Sequence, residues 1–208
     1  MYEKVLTMKR QGIVLLPDRV TILNAVSASS DIPENLLELD STTHLPHVSL
    51  LQSVFSFGVD PEKILDDVRN DPSFTTEVRT QIMGLTLKGT HHLQHQIWWS
   101  LKNAHWLKKV NRNTVERVQN NLLLPFPEEK FNTPEEQESY DKTGYSGNLD
   151  AYEPHITIGV REKNPPHLPS APSGTQYVKF HTLAFTEHDE LGRVTKIIAE
   201  RELPVSWE

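Results

Sequence analysis

Two short runs, Pro46-His47-Val48-Ser49-Leu50 and Pro154-His155-Ile156-Thr157-Ile158, repeat one pattern of proline, histidine, apolar, hydroxyl, apolar at a separation of 108 positions. In an extended strand successive side chains point to opposite faces, so in each run the histidine and the hydroxyl share one face and the apolar residues take the other. Each run is therefore a strand with a chemical side and a packing side. Two such strands set opposite each other would present two imidazoles and two hydroxyls to one small anion. Ten histidines and 31 serines and threonines yield roughly 1.5 His-x-Ser/Thr matches by chance, so two matches alone carry no weight. The preceding proline, the apolar flanks and the placing of one copy in each half of the chain carry the argument.

The order of elements supports a repeated plan. Residues 10–16 read as a buried strand, Pro17-Asp18 as a turn and N-cap, and residues 19–28 as a helix in which Val20, Leu23 and Val26 space like one face. Ile32-Pro33 resets the chain, and residues 36–39 lead to the first motif strand over 44–52. Gly58 to Pro61 break the pattern, and Ile64, Leu65 and Val68 mark a short helix that ends near Asn70. The second half is a looser version, with strands over 82–88 and 97–101 about a turn at Gly89 and a helix over 104–122. In that helix Leu107, Val110, Val115, Val118 and Leu122 form the apolar stripe, and Lys108, Lys109, Arg112 and Arg117 fall on a solvated face. The second motif strand follows over 155–160, then a proline-rich loop over 164–174. Residues 177–186 and 194–203 flank Asp189-Glu190-Leu191-Gly192 and predict a closing β-hairpin.

The expected architecture is α+β: a single two-lobed domain over residues 1–208, its halves related by a pseudo-twofold. Residues 125–153 are rich in proline, glutamate and glycine and keep no apolar period, so they are expected as a mobile insertion. That stretch either carries Tyr140 or Tyr145 over the cleft as a lid or stays disordered.

Composition narrows the chemistry. A chain of 208 residues at 37% hydrophobic content fits one globular unit. The absence of cysteine excludes disulfides, thiolate zinc sites and a cysteine nucleophile. A formal net charge of −7 argues against a general electrostatic hold on a long nucleic acid, which leaves a small or short phosphate-bearing ligand in a local basic pocket. The opening residues lack the apolar stretch of a signal peptide or a membrane span, so a soluble, cytoplasmic protein without membrane association is expected. His91, His92 and His95 include a His-x-x-x-His pair that on a helix would suit zinc, but they lie between two strand-like runs, beside a glycine, with no acidic third ligand. A polar turn is the better reading, and neither metal nor cofactor is expected.

At this point the residues resemble a known family, the two-histidine (2H) phosphoesterase superfamily, which includes the 2'-5' RNA ligase-like proteins and cyclic nucleotide phosphodiesterases. The likeness runs through both motif strands, Leu85-Thr86-Leu87-Lys88-Gly89, Ile97-Trp98-Trp99 and the helix after it, and leaves residues 125–153 unaccounted for. It implies two antiparallel sheets lining a central cleft with helices outside, His47 and His155 as a catalytic pair, and Ser49 and Thr157 as hydroxyls on the phosphate oxygens. The implied activity is metal-independent hydrolysis of a 2',3'-cyclic phosphate, a 2'-5' phosphodiester or a cyclic nucleotide, the partner being a nucleotide or short RNA with no obligate protein partner. Imidazole titrates near neutrality, so one histidine can take a proton while the other gives one. A non-catalytic nucleotide or RNA-end binding module and a reversible 2'-5' RNA ligase stay open as alternatives. Tyr152 and Arg161, on either side of the second motif, are expected at a ligand's base or phosphate. Trp98 and Trp99 alternate across a strand, so one of them, with Trp98 as the candidate, faces the cleft and can stack on a base, against a core-packing role for either.

Overall fold

A computed structural model describes residues 10–74, 79–89, 95–102, 104–123, 131, 133–163 and 176–203. Strand β1 (Arg10–Pro17) buries Ile13, Val14, Leu15 and Leu16 and stops at Pro17, which has no N–H for the ladder. Asp18 then caps helix α1 (Arg19–Ser30), its carboxylate accepting from the Thr21 amide at 3.0 Å and the Thr21 hydroxyl at 2.9 Å. The buried row of α1 is Thr21, Ala25 and Ser29, while Val20 is 65% and Leu23 49% exposed. This corrects the expected face: small side chains at i, i+4 and i+8 face inward, and the larger apolar ones stay outside.

The first motif strand is β2 (Val48–Ser53), shorter than expected because the chain over Asp40 to His44 is a turn, with the Asp40 carboxylate accepting from the amides of Thr42 and Thr43. Helix α2 (Pro61–Arg69) begins at the Asp60 cap and buries Ile64, Leu65 and Val68 as the spacing requires. Strands β3 (Arg79–Gly89) and β4 (His95–Lys102) pair antiparallel, and helix α3 (His105–Val118) buries Leu107, Val110, Val115 and Val118. The second motif strand is β5 (His155–Arg161), and the chain closes with the hairpin β6 (Tyr177–His188) and β7 (Val194–Glu202) about Gly192 at φ 80°.

Within residues 125–153 the structure places a helix, α4 (Pro134–Thr143), capped by Thr133 and ended by Gly144 at φ 70°. Its buried positions are Ser139, Tyr140 and Thr143, mostly polar, which is why no apolar period marks it in the sequence. The His91 and His92 side of the expected turn and the proline-rich loop over 164–174 lie outside the described residues.

The strands follow the order β2-β1-β6-β3-β4-β5, with β7 on β6. The two halves are thus stitched into one antiparallel sheet by β6, whose first residues Tyr177–Lys179 pair with β3 and whose remainder pairs with β1. The motif strands β2 and β5 sit at opposite ends of this path, yet they approach each other in space, so the sheet curls until its ends meet. The helices are crossed: α1, which follows β1, packs on β5, and α3, which follows β4, packs on β2.

Each crossing is secured by a buried or half-buried asparagine. Asn35, just after α1, accepts from the Val160 amide at 2.9 Å and donates to the Ile158 carbonyl at 3.3 Å on β5. Asn111 of α3 donates to the Leu50 carbonyl of β2 at 2.6 Å. Side chains thus meet both outer edges of the curled sheet where a further strand would pair, and on β5 the Leu36 amide also donates to the Val160 carbonyl at 2.8 Å.

Candidate active site

His47 stands one residue ahead of β2 and His155 opens β5, so each imidazole hangs from the start of a motif strand. They are held in the same way. His47 Nδ1 lies 2.9 Å from the Leu45 carbonyl and His155 Nδ1 2.5 Å from the Glu153 carbonyl, each two residues upstream. A carbonyl only accepts, so both Nδ1 atoms carry hydrogen and both neutral rings leave the Nε2 lone pair for chemistry. The preceding proline makes this local geometry: it holds the chain extended, which sets the carbonyl of residue i−2 beside the ring.

Burial pushes both histidines below the ordinary imidazole value. His155 falls to about 4, chiefly by desolvation; the bond to the Glu153 carbonyl and the Glu153 charge work against the fall, while His47 and Lys88 add to it. His47 is likewise lowered by burial, with the Leu45 carbonyl working against it. The strands that carry the two rings, β2 and β5, are in contact, and the charge of His47 contributes to the lowering of His155.

The hydroxyls flank the rings on the same faces. Ser49 lies opposite Val14 in the β1–β2 register, and its Oγ accepts from the Gln52 amide at 2.9 Å. Thr157 lies opposite Trp98, and His155 opposite Ser100, on β4. Trp98 stacks on His155 with centroids 3.6 Å apart and planes at 10°, so of the two tryptophans it is the one on the His155 face; it is itself only 8% exposed, and Trp99, at 1%, lies in the core. Beyond Trp98 stands Lys88, its Nζ 5.2 Å from the indole centroid and ion-paired to Glu153.

Tyr152 and Arg161 are not brought to the ligand side of this cleft. Tyr152 is buried and its hydroxyl donates to the Ser49 carbonyl at 2.8 Å, a bond that ties the approach to the second motif to the middle of the first. Burial pushes its phenol well above the ordinary value, so it stays a donor. Arg161 ends β5 and its side chain is buried beside Glu34, with one Nη bonded to that carboxylate at 2.7 Å. The reasons differ: Tyr152 ends the short turn before β5, and a register shift in the β4–β5 pairing, with Thr157 opposite Trp98 but Gly159 opposite Ile97, breaks the alternation that would otherwise put Arg161 on the His155 face. Tyr145 lies over Arg10, with the guanidinium carbon 5.7 Å from the ring centroid.

A third histidine joins the cleft. His188, at the end of β6, stands edge-on to His47 with centroids 5.3 Å apart. Its Nδ1 meets the Gly192 carbonyl at 3.1 Å and its Nε2 the Thr186 hydroxyl at 2.8 Å. A Cβ at Gly12 would sit 2.7 Å from His188 Nε2 and 2.9 Å from the Leu51 carbonyl, so the glycine leaves the space in which this ring lies. Burial, then the charges of His47 and Arg10, push His188 down to about 3, with the Gly192 carbonyl and Asp189 opposing. The sequence signal was the period-two row Ala184, Thr186, His188, hidden because the strand was expected to stop at Thr186. His95, from the histidine cluster, opens β4 opposite Arg161. Among the described residues no three histidines or carboxylates are arranged to hold a metal ion.

Comparison with solved structures adds one finding. The TT0787 protein of Thermus thermophilus matches 93% of this chain and 97% of its own length with a TM-score of 0.55 at 16% identity. A second protein, described as a phosphoesterase, matches 94% of this chain and 98% of its own with a TM-score of 0.50 at 11% identity. The chain shares the α+β fold of these two proteins. Both likenesses span almost the whole of each chain, so the α+β plan is shared over most of its length. No known family's sequence model and no curated protein matches the sequence. At such identities the likeness is legible in three dimensions and not in the sequence. No helix among the described residues is long and apolar enough to cross a membrane.

Proposed function

We propose that this protein is a phosphodiesterase that opens a 2',3'-cyclic phosphate, a 2'-5' phosphodiester or a cyclic nucleotide, with His47 and His155 as paired acid and base and Ser49 and Thr157 on the non-bridging oxygens. The observation that carries this reading is the matched anchoring of the two imidazoles, each with Nδ1 on the carbonyl two residues upstream and Nε2 without a hydrogen-bond partner among the described residues. Simple anion binding has no use for two matched Nε2 lone pairs; a displacement at phosphorus does. One neutral Nε2 removes a proton from water as its oxygen bonds to phosphorus. The P–O bond to ribose breaks on the far side, and the other imidazole, protonated, delivers its proton to the departing oxygen. The sum is water plus cyclic diester giving monoester, with one proton taken and one returned. The hydroxyls donate to the oxygens on which charge is held. None of these four side chains needs a metal for its part.

Because both rings are driven toward the neutral form in the free protein, the acid must gain its proton alongside the anion. A phosphate placed between the rings favours the imidazolium by direct charge attraction and offsets the burial penalty. The test is hydrolysis of nucleoside 2',3'-cyclic phosphates, 2'-5' dinucleotides and 3',5'-cyclic nucleotides, with chelator present. His47→Ala and His155→Ala are each expected to lower the observed rate by about 100-fold or more. Rates that survive both substitutions would sink the proposal, and tight nucleotide binding without turnover by the wild type would favour the binding-module alternative.

A further inference from the structure

The chemical face of the first half continues past the two motifs, and nothing in the acid/base scheme uses it. Along β1 the side chains of Val14, Gly12 and Arg10 share one face, set opposite Ala184, Thr186 and His188 on β6. On the other side Val14 faces Ser49 and Gly12 faces Gln52 of β2. From the Ser49 hydroxyl this wall therefore passes the Gln52 amide and the His188 ring and ends at the Arg10 guanidinium. Four residues of strand from Val14 to Arg10 amount to roughly 13 Å.

The cations at the two ends of the cleft face differ. Lys88, beyond Trp98 on the second half, is neutralised by Glu153. Arg10 has no carboxylate partner among the described residues; its guanidinium lies over the Tyr145 ring, which holds it in place without cancelling its charge. Gln52, the polar group between Ser49 and Arg10, is buried and its amide is aimed at Ser49 Oγ. The two sides differ at this point: among the described residues the cation on one side has no carboxylate partner and the one on the other is paired.

We propose that Arg10 is a second anion subsite that binds a further phosphate of the substrate, so that the substrate class is a nucleotide carrying one phosphate at the scissile position and another at the opposite end of its ribose. This rests on the phosphodiesterase reading for the position of the scissile group. A guanidinium suits the task because its planar fork meets two phosphate oxygens at once. The wall between the two subsites is made by Gln52 and His188 and carries no carboxylate. The Arg10 charge, without a carboxylate partner among the described residues, also gives the substrate a direction: the second phosphate lies toward β1 and Tyr145, and the end without one lies toward Trp98.

The test is titration calorimetry with a nucleoside 3'-monophosphate and the corresponding nucleoside 3',5'-bisphosphate on wild type, Arg10→Gln and Arg10→Lys, with circular dichroism to verify folding. The wild type is expected to bind the bisphosphate roughly ten- to a hundred-fold tighter, the range for a charge-assisted hydrogen-bonded contact. Arg10→Gln should shrink that ratio to below about threefold and Arg10→Lys should keep part of it. Equal wild-type affinities for the two nucleotides, or a ratio that survives Arg10→Gln, would overturn the subsite. The measurement needs no turnover, so its failure stands apart from failure of the phosphodiesterase reading. That reading fails instead if hydrolysis is insensitive to His47 and His155.

Discussion

The unusual property of the two motif imidazoles is that burial favours their neutral forms while their proposed partnership requires one of them charged. The free protein meets that requirement only when a proton is available, and the fraction carrying one falls as pH rises above the depressed pKa values. With His155 at about 4 and His47 also below the ordinary imidazole value, kcat/KM, which reports on free enzyme, is expected to decline about tenfold per pH unit from below pH 6.5 upward. kcat, which reports on the complex, is expected to hold to higher pH because the bound phosphate raises the acid. Initial rates between pH 4.5 and 8.5 check this; a kcat/KM plateau across neutral pH would mean that at least one ring is less desolvated than the geometry indicates. The same residues show what a sequence conceals. His47, Ser49, His155 and Thr157 were legible because their pattern is local and repeated. His188 was not, since its place beside His47 depends on Gly12, 176 positions away in the chain, leaving room for it. Tyr152 and Arg161 are buried, Tyr152 in the turn before β5 and Arg161 beyond a register shift in β5 that strand alternation does not foresee.

Among the elements, β2 is held in an unusual way, its outer edge gripped by side chains. The Ser49 carbonyl receives Tyr152, the Leu50 carbonyl Asn111, and the Gln52 carbonyl Asn148 at 3.2 Å, while Ser53 Oγ donates to the Thr143 carbonyl at 2.5 Å. Asn148 is further held by the Ser139 and Thr143 hydroxyls at 2.9 and 2.8 Å. Residues 139–152 thus bolt the first motif strand to the approach to the second, and Tyr152 sits at the shortest link between the two histidines' supports. Tyr152→Phe removes that link without changing the packing volume. It is expected to cost about 1–2 kcal/mol of stability, because the buried Ser49 carbonyl loses its donor, and to lower kcat more than it raises KM, because the rings' spacing loosens. Urea denaturation and steady-state kinetics measure the two effects; unchanged kcat would make Tyr152 a packing residue alone. None of this was readable from the polar, proline-rich composition of the stretch, because a helix that buries Ser139, Tyr140 and Thr143 leaves no apolar period behind.

For the molecule as a whole, the crossed helices and the shared strand bear on how it unfolds. β6 serves both halves of the sheet, α1 covers β5, and α3 covers β2, so neither lobe has a complete core without the other. The lobes are expected to unfold in one step. Tryptophan fluorescence, dominated by Trp98, Trp99 and Trp106 of the second half, should trace the same urea transition as far-UV circular dichroism, which averages over both halves. Separated midpoints would show that the halves are independent units.

What the sequence determined by itself was the alternation of strands and helices, the two chemical strands and the α+β class, because each rests on local periods of two and 3.6 and on capping and turn residues that act within a few positions. It also determined that two imidazoles and two hydroxyls were available in matched order. Only the tertiary structure decided that β2 and β5, the two ends of the sheet path, meet across one cleft, that β6 joins the halves, that His188 and Arg10 share the cleft's first wall, and that Tyr152 braces the floor. Those outcomes depend on the curl of a seven-stranded sheet and on which residues are small enough to let others approach, and no local pattern encodes either.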